Sequence, residues 1–448
     1  MNSKKLVEGL SDFGFVYGFG EDKVPAHLTI QDGKAKLLLL GLAESFEDFS
    51  NYGKEEVPDF AQFRSNGGNA SLSHIRRANG GALVLPSGMN TMAFSCDRIV
   101  RSSAPLAYES VNGMSSRLEG FVQWSGVQVI KQSLEFQEGK GFSSALLKAS
   151  LVDAIDLGSK FSASASPGVQ LPGYSGRHQG EFTYRDSTKL RTYTSELRTW
   201  EEHQRIHRMF QDLMCLVYNY PCSIELESVV REDDQPELAA STDKKLWVDA
   251  FASVFGRQRH FDPKKDFSKT GPLFLLEDAD RDLIAEWVDD YEKWSRPTWI
   301  AVETIFQPHL AAESRLIQIG VALEALGYAI WLYDENDGYA PECEKAGKRH
   351  RCDFIGCNKP NASRYFKRVA EKLPWSDLGI SDEPDAETWA INFNEVYKGC
   401  KHADNPLPDG LEAHERAKQG LAVIRCWLAK KLGVADETLI KNKDRLKY

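Results

Sequence analysis

Four polar side chains near the end of a predicted helix have the types and spacing needed to handle a phosphodiester. Asn394, Lys398, Lys401 and His402 share one face if the segment is helical, because residues three, four, seven and eight apart project together. An imidazole transfers protons near neutral pH, and ammonium groups hold a phosphate or offset charge developing on it. Two prolines at residues 405–408 must end the helix. The group is therefore predicted to lie beside a loop, within reach of a ligand; a merely solvated lysine-rich face is the alternative.

Length and composition point to a multidomain, soluble protein. At 448 residues the chain is too long for one ordinary core, so two or three domains are expected. The net charge of −10, from 55 basic and 65 acidic residues, is a poor fit to a protein that coats duplexes, but it allows a local basic site. No apolar signal core follows the first residues, and no run reaches the roughly 20 apolar residues of a membrane helix. Eight cysteines do not make a disulfide scaffold, so reduced thiols, a cytoplasmic location and no membrane partner are expected.

The patterns divide the chain into a β-rich part and a helical part. Residues 1–194 alternate apolar runs with turn signals, which predicts a sandwich or barrel with a hairpin-like turn at 31–33 and a strand over 119–136. Residues 195–276 read as a mixed connecting region with one helix over 196–218, which Ser195 is predicted to cap. Residues 277–448 carry helical periodicity, strongest over 311–333, which predicts an all-α bundle. The fold class is therefore α+β, with a β-rich N-terminal domain followed by a helical bundle.

A polar insert at 334–361 interrupts the helical part and is rich in thiols and imidazole. Thiolates and imidazoles at this density bind zinc tetrahedrally, and a metal would order a segment with little apolar content. Loop cysteines are the alternative, because the spacing contains no Cys-x2-Cys. The neighbouring basic run could contact the phosphates of a nucleic acid. The predicted zinc ligands are Cys343, His350, Cys352 and Cys357, and the predicted phosphate contacts are Lys348, Arg349 and Arg351.

The helical part resembles a known family. The segments at 313–315 (Glu-Ser-Arg), 322–326 (Ala-Leu-Glu-Ala-Leu) and 401–404 (Lys-His-Ala-Asp) are similar to those of an ApeA-like HEPN domain, and the β-rich half resembles the N-terminal domain found with it in bacterial anti-phage defence proteins. The resemblance implies a metal-independent endoribonuclease that acts as a homodimer or higher oligomer and cuts host RNA, with tRNA as the expected target, to abort infection. The N-terminal half would then sense a phage product. No cofactor is implied for catalysis.

The family signature, Arg followed by four to six residues and then His, is only half present. His402 matches the His, but residues 395–397 are Glu, Val and Tyr. Either Lys398 replaces the arginine, or a distant arginine such as Arg315 or Arg425 completes the site, or catalysis is lost and the bundle only binds RNA or a protein partner. Arg and Lys are not equivalent, because Arg is a planar fork for phosphate and Lys is a point charge. Another Arg-x4-His string, from Arg198 to His203, lies outside the bundle and is interpreted as coincidence.

In the nuclease interpretation each polar residue has a role. His402 acts as general base or acid, Lys398 and Lys401 steady the phosphate, and Asn394 orients the imidazole or the phosphate. Two carboxylates on the long helix, Glu313 and Glu324, are predicted to hold His402 in place, with ordinary bundle polarity as the alternative for Glu324. An unrelated hydrolase in the β-rich half is disfavoured, because no nucleophile–base constellation occurs there.

Overall fold

The β-rich half contains a closed barrel. The computed structural model of the chain describes residues 4–19, 23–41, 57–84, 90–102, 104–127, 129–137, 141–150, 152–170, 185–234, 245–257, 267, 271–338, 342–345, 348–351 and 362–446. Its first six strands are β1 (Ser11–Tyr17), β2 (Val24–Gln31), β3 (Lys34–Leu40), β4 (Phe60–Ser65), β5 (Gly68–Val84) and β6 (Asn90–Val100). They pair antiparallel in the ring β1-β2-β3-β6-β5-β4, which returns to β1. The ring leaves no free edge among these strands.

Alternating side chains fill the barrel interior. Leu28, Leu37, Phe63, Leu72 and Ile99 are all fully buried and belong to one apolar cluster, as expected where every second residue of a strand points inward. The β2–β3 turn lies where the sequence predicts a hairpin, with Asp32 and Gly33 at φ of 53° and 67°, a conformation that favours Gly and Asp.

A second sheet continues from the barrel toward the helices. The remaining strands of the β-rich half are β7 (Ser110–Leu118), β8 (Ile130–Gln137), β9 (Gly141–Ala149), β10 (Ile155–Gly158), β11 (Ala163–Ser166), β12 (Val169–Gln170), β13 (Arg185–Asp186), β14 (Lys189–Thr199), β15 (Ile224–Val230) and β16 (Val248–Ala252). The order β10-β11-β14-β7-β15-β16 ends with β16 pairing to β6. Residues 195–276, predicted as a connecting region, thus contribute strands to the sheet. The β-rich prediction for the N-terminal half is confirmed.

Two local predictions in this half are wrong. The strand expected over 119–136 is interrupted by helix α1 (Phe121–Ser125), and β8 starts only at Ile130, because left-handed Gly120 and Gly126 cap a single buried turn. Helix α2 (Trp200–Tyr218) begins after Thr199, not after Ser195, which lies in β14. Thr199 and Glu202 form a reciprocal capping box at its start.

Two histidines of α2 are buried against the second sheet. His203 and His207 are both 0 % exposed and share the hydroxyl of Thr192, at 2.9 Å from His203 Nδ1 and 3.1 Å from His207 Nε2. Ser116 Oγ lies 2.6 Å from His207 Nδ1, and the Val111 carbonyl lies 3.2 Å from His203 Nε2. The Arg198-to-His203 string is therefore structural.

This pair predicts acid sensitivity of the fold. Burial lowers the pKa of His203 to about 4 and of His207 to about 3, whereas both titrate near 6.5 when unfolded. Below pH 6.5 the unfolded chain binds protons that the folded chain does not, so stability falls as the pH drops toward 4. Between pH 7 and pH 5 we expect a loss on the order of 1–2 kcal/mol per histidine, measured by urea unfolding at both values.

A matched pair of variants isolates the buried groups. His207→Asn should lower stability at pH 7 and flatten the loss between pH 7 and pH 5, because one buried titrating group is gone. His414→Asn removes an exposed histidine and should leave that loss unchanged. An equal pH dependence in wild type and His207→Asn would contradict the assignment.

The C-terminal half is a helical bundle, as predicted. Its helices are α3 (Arg281–Asp289), α4 (Tyr291–Phe306), α5 (Ala312–Ala329, continued by a π-helical turn Ile330–Asp334), α6 (Ala362–Ala370), α7 (Trp375–Leu378), α8 (Ala386–Lys401), α9 (Gly410–Lys431) and α10 (Asp436–Lys441). Two short strands, β17 (Glu342–Lys345) and β18 (Lys348–Arg351), lie in the polar insert.

Helix α5 is the centre of the bundle. Leu316, Ile319, Leu323 and Leu326 on this helix are all fully buried, and α4, α6, α8 and α9 contact it. The segment Ala312–Asp334 is long and apolar enough to cross a membrane by length and composition alone. A core helix of a folded bundle has the same composition, and its neighbours account for its apolar character here. One continuous apolar cluster joins the bundle, α2 and the second sheet, so the two halves share a core.

Candidate functional site

Helix α8 carries the predicted site at its C-terminal end. Asp385 caps its first turn by accepting a hydrogen bond of 2.7 Å from the Thr388 amide. Trp389 and Phe393 bury its inner face. The helix ends at Lys401, and His402 is the capping residue, with φ −119° and ψ 122°. The imidazole therefore departs from the helical path just where the chain enters the proline-containing loop.

Two glycines permit this arrangement. A Cβ on Gly320 of α5 would lie 2.5 Å from the Tyr397 ring, so only glycine leaves room for that ring between α5 and α8. A Cβ on Gly399 would lie 2.6 Å from the Pro406 carbonyl oxygen, so glycine lets the loop fold back against the last turn. The end of α8 is thus held by its neighbours while its tip faces outward.

The His402 side chain is exposed at this tip. In the part of the chain that the structure describes, its imidazole has no hydrogen-bond partner, and only its backbone is engaged, through its amide to the Lys398 carbonyl at 2.9 Å. An accessible imidazole with both nitrogens free to exchange protons is what general acid–base chemistry on an external substrate requires.

Lys401 is positioned by a tyrosine and a carboxylate. Its Nζ donates to Tyr397 Oη at 3.1 Å and lies 3.9 Å from Glu324 Oε1. The hydrogen bond to Tyr397 raises the pKa of Lys401, which keeps the ammonium charged at neutral pH. Burial raises the pKa of Tyr397, so its hydroxyl stays protonated. Tyr397 was not predicted from the sequence, although its spacing of four residues from Lys401 is the helical signal for such a contact.

Lys398 also has an acidic partner. Its Nζ lies 3.0 Å from Glu395 Oε1, one turn earlier on the exposed side of α8. A pair of this kind at the surface contributes little to stability and exchanges readily with water or a ligand. Both cations of the last turn also offset the negative end of the helix dipole, which would otherwise disfavour a phosphate at this end.

The prediction that Asn394 shares an accessible face with His402 is wrong. Asn394 is 1 % exposed, so it lies inside the bundle. Helical spacing places the two residues on one side of α8, but that side descends into the packing between helices, and only its last turn reaches the surface. Asn394 therefore cannot orient a substrate phosphate.

The two carboxylates of α5 form no hydrogen bond or ion pair with His402 in the described part of the chain. Glu324 contacts Lys401. Glu313 lies near Cys400, whose pKa is raised by burial and then by the charge of Glu313. Among the described residues neither carboxylate forms a hydrogen bond or ion pair with the imidazole, so the predicted role of Glu313 and Glu324 as holders of His402 is wrong. Glu324 instead contacts Lys401, the residue before His402.

Neither distant arginine completes the family signature. Arg315 donates hydrogen bonds of 3.0 Å to the carbonyls of Gln307 and Pro308, at the end of α4. Arg425 is 2 % exposed and bonds to backbone carbonyls of α2. Both guanidiniums are used in hydrogen bonds that stabilise the fold.

Two of the predicted zinc ligands in the polar insert face each other as paired backbone positions. Cys343 and His350 are register partners across the β17–β18 hairpin, whereas Cys352 and Cys357 lie outside the described residues. No group of three or more potential ligands occurs where the structure describes side chains. Lys348, Arg349 and Arg351 lie on β18. Zinc and RNA binding by the insert remain predictions.

Two family descriptions match the chain, one over its β-rich part and one over its helical part. The family description "ApeA N-terminal domain 1" matches residues 13–287, and the description "Apea-like HEPN" matches residues 317–438. No curated protein matches the chain. No solved structure matches it either. The second match includes α8 and the exposed histidine at its end.

Proposed function

The chain belongs to the ApeA-like HEPN family of anti-phage defence proteins, and from this premise we propose that it is a metal-independent endoribonuclease that cleaves host RNA, with tRNA as the substrate class. The observation that carries the proposal is the exposed imidazole of His402, next in sequence to Lys401, whose ammonium is positioned by Tyr397. A general acid–base group and a cation at one accessible point are the minimum set for cleavage of an RNA phosphodiester.

The proposed reaction uses the substrate's own nucleophile. His402 takes the proton of a ribose 2′-hydroxyl, and the 2′-oxygen attacks the adjacent phosphorus. The bond from phosphorus to the 5′-oxygen breaks, and that oxygen takes a proton from water and leaves as a 5′-hydroxyl. The other product end is a 2′,3′-cyclic phosphate. Lys401, and Lys398 once Glu395 releases it, stabilise the charge on the phosphate oxygens.

The experiment is incubation of the pure protein with total tRNA in the presence of EDTA. Fragments bearing 2′,3′-cyclic phosphate and 5′-hydroxyl ends are expected. Intact tRNA under conditions in which the protein is folded and dimeric would contradict the proposal. In cells, the β-rich half would sense a phage product and raise cleavage above the basal level of the pure protein, so tRNA fragments should increase after infection or overexpression.

A second copy of the chain is the proposed partner at the site. Leu407 and Leu411 flank the loop after His402 and are 71 % and 80 % exposed. Large apolar side chains at such exposure, close in sequence to one another and to His402, are typical of an interaction surface. A partner there would bring two imidazoles and two sets of lysines around one RNA strand.

This surface yields a prediction about oligomeric state. Leu407→Glu/Leu411→Glu should convert the dimer to a monomer, because burying two carboxylates at the centre of an apolar interface costs several kcal/mol. Size-exclusion chromatography with light scattering measures the change. Ile391→Glu, at a side chain 50 % exposed on the same helix as His402, serves as the control and should leave the mass unchanged.

A catalytically inactive HEPN module that binds RNA or a protein is the second candidate. The observation favouring it is that both lysines of the last turn face carboxylates of their own chain and that no arginine occupies 395–397. In that case tRNA would bind without fragments appearing, and overexpression would be equally tolerated with wild type and with His402→Ala.

A further inference from the structure

A large cleft lies where the β-rich half meets the bundle, away from His402. Its volume is about 1120 Å³, enough for a ligand of the size of a nucleotide. Its lining comes from β5, β6, α2, α4 and the segment 252–257 at the end of β16. None of the residues that line it belongs to α8 or α9, so the cleft is separate from the proposed nuclease site.

Arginines dominate the lining of this cleft. Five guanidiniums and four carboxylates of Asp or Glu line it, and a further carboxylate, Glu303, pairs with Arg257 at 2.7 Å from outside the lining. The five are Arg76, Arg98, Arg205, Arg208 and Arg257. Four of them are ion-paired: Arg76 with Asp97, Arg98 with Glu201, Arg205 with Glu292 and Arg257 with Asp212. Arg208 is exposed and has no ion-pair partner among the residues that the structure describes.

An aromatic surface faces the same space. Trp299 of α4 lines the cleft and is 51 % exposed, with its ring 6.5 Å from that of the buried Tyr291. A half-exposed indole anchored against a buried ring provides a flat face on which a planar heterocycle can stack. Arginines and a free indole in one cleft match the two parts of a nucleotide.

We propose that this cleft binds a nucleotide, with the base stacked on Trp299 and the phosphate held by Arg208 and Arg205. Arg208 is the arginine of the lining without a carboxylate partner among the described residues, which favours a ligand with a single phosphate, since the surrounding carboxylates would repel a polyphosphate. A guanidinium holds phosphate through two parallel hydrogen bonds. A free nucleotide and the phosphorylated end of an RNA share this chemistry.

The cleft is also a joint between the two halves. Arg205 of α2 pairs with Glu292 of α4 at 2.7 Å. Deeper in, Asp212 accepts a hydrogen bond of 2.5 Å from Tyr291 Oη and pairs with Arg257 at 3.1 Å. A phosphate that draws Arg205 away from Glu292 would break the outer link and leave the inner one. Occupation of the cleft would therefore change how firmly the β-rich half holds α4.

The test is calorimetric titration of the full-length protein with AMP and GMP. Adenosine, which lacks the phosphate, and ribose 5-phosphate, which lacks the base, should each bind at least about tenfold more weakly than AMP. Arg208→Gln should weaken AMP binding by about tenfold or more, and Trp299→Leu by about fivefold or more. Arg296→Gln, at an exposed arginine of α4 that does not line the cleft, should bind AMP as wild type does.

A fifth ligand distinguishes the two sources of the nucleotide. If a 5′-phosphorylated RNA tetramer binds as tightly as AMP, the cleft takes an RNA end; if it binds much more weakly, the cleft takes a free nucleotide. The proposal is overturned if neither AMP nor GMP binds at millimolar concentration, or if Arg208→Gln and Trp299→Leu both bind AMP as wild type does. The titration requires no RNA cleavage, so its outcome is independent of the nuclease activity.

Discussion

Replacing His402 with alanine is expected to lower the rate of tRNA cleavage by about 10²–10⁴-fold, the usual effect of removing a general acid–base group. The fold should be unaffected, because the imidazole is exposed and contributes no hydrogen bond within the described part of the chain. The measurement is single-turnover cleavage of end-labelled tRNA in EDTA. Overexpression of the variant should also be tolerated where overexpression of the wild type is toxic.

A second exposed histidine of the bundle is the matched control. His414 lies on α9, is exposed and faces a different cleft, lined by residues of α4 and α9. His414→Ala should cleave tRNA at the wild-type rate. Equal rates for wild type and His402→Ala would remove the nuclease assignment at this site and favour the binding-module alternative.

Lys401 separates the roles of the two neighbouring groups. Lys401→Ala should reduce the rate without changing its dependence on pH, because the lysine stabilises charge and transfers no proton. The pH profile of the wild type should instead contain a titration that His402→Ala abolishes. This difference distinguishes an electrostatic partner from the proton-transfer group.

The sequence predicted the architecture well because period and length are local signals. The strong 3.6-residue period of residues 311–333 identified the helix that the bundle surrounds, and the Asp-Gly dipeptide at 32–33 identified the β2–β3 hairpin. Closure of the barrel could not be predicted, since it depends on β1 pairing with both β2 and β4. Pairing between distant strands leaves no trace in the local pattern of either one.

The spacing along α8 indicates which side chains share a side of the helix but not how deeply each is buried. Helical spacing correctly grouped residues on one side of α8, but it gives an angle around the axis and no distance from the surface. Asn394 lies two helical turns before Lys401 and is buried in the bundle, yet its spacing made it appear equivalent to Lys401 in the last turn. The position of Tyr397 depends on Gly320, more than 70 residues earlier, and no reading of α8 alone could supply that contact.

Arg425→Ala is expected to destabilise the protein by about 3–4 kcal/mol, the largest effect on stability that we predict for a single residue. Arg425 is buried on α9, yet it binds the end of α2 in the other half of the chain. Its Nε donates to the Leu216 carbonyl at 2.7 Å, and its Nη2 donates to the Val217 carbonyl at 3.3 Å. Its Nη1 donates to the Arg445 carbonyl at 3.0 Å.

The magnitude follows from two opposing effects. The last carbonyls of a helix have no partner within it, so removing the guanidinium leaves the buried Leu216 carbonyl without the hydrogen bond it receives from Nε, at about 1–3 kcal/mol. The Val217 carbonyl keeps a hydrogen bond of 3.0 Å from the Leu273 amide, and the Arg445 carbonyl is only partly buried. The substitution also relieves the burial of a charge, which lowers the pKa of Arg425 to about 10. This relief offsets part of the lost hydrogen bonding. The substitution also leaves a cavity in the shared core, so the net effect on stability is destabilising.

Urea unfolding at pH 7 measures the change, with Lys418→Ala as the control on the same helix. Lys418 is half-exposed and lies 3.8 Å from Glu415, so its removal should cost less than about 0.5 kcal/mol. Arg425→Lys should fall between wild type and alanine, because an ammonium cannot reach three carbonyls that diverge around a planar fork. If alanine and lysine at 425 are equally stable, the hydrogen bonds to α2 do not hold the two halves together, and the shared apolar core alone does.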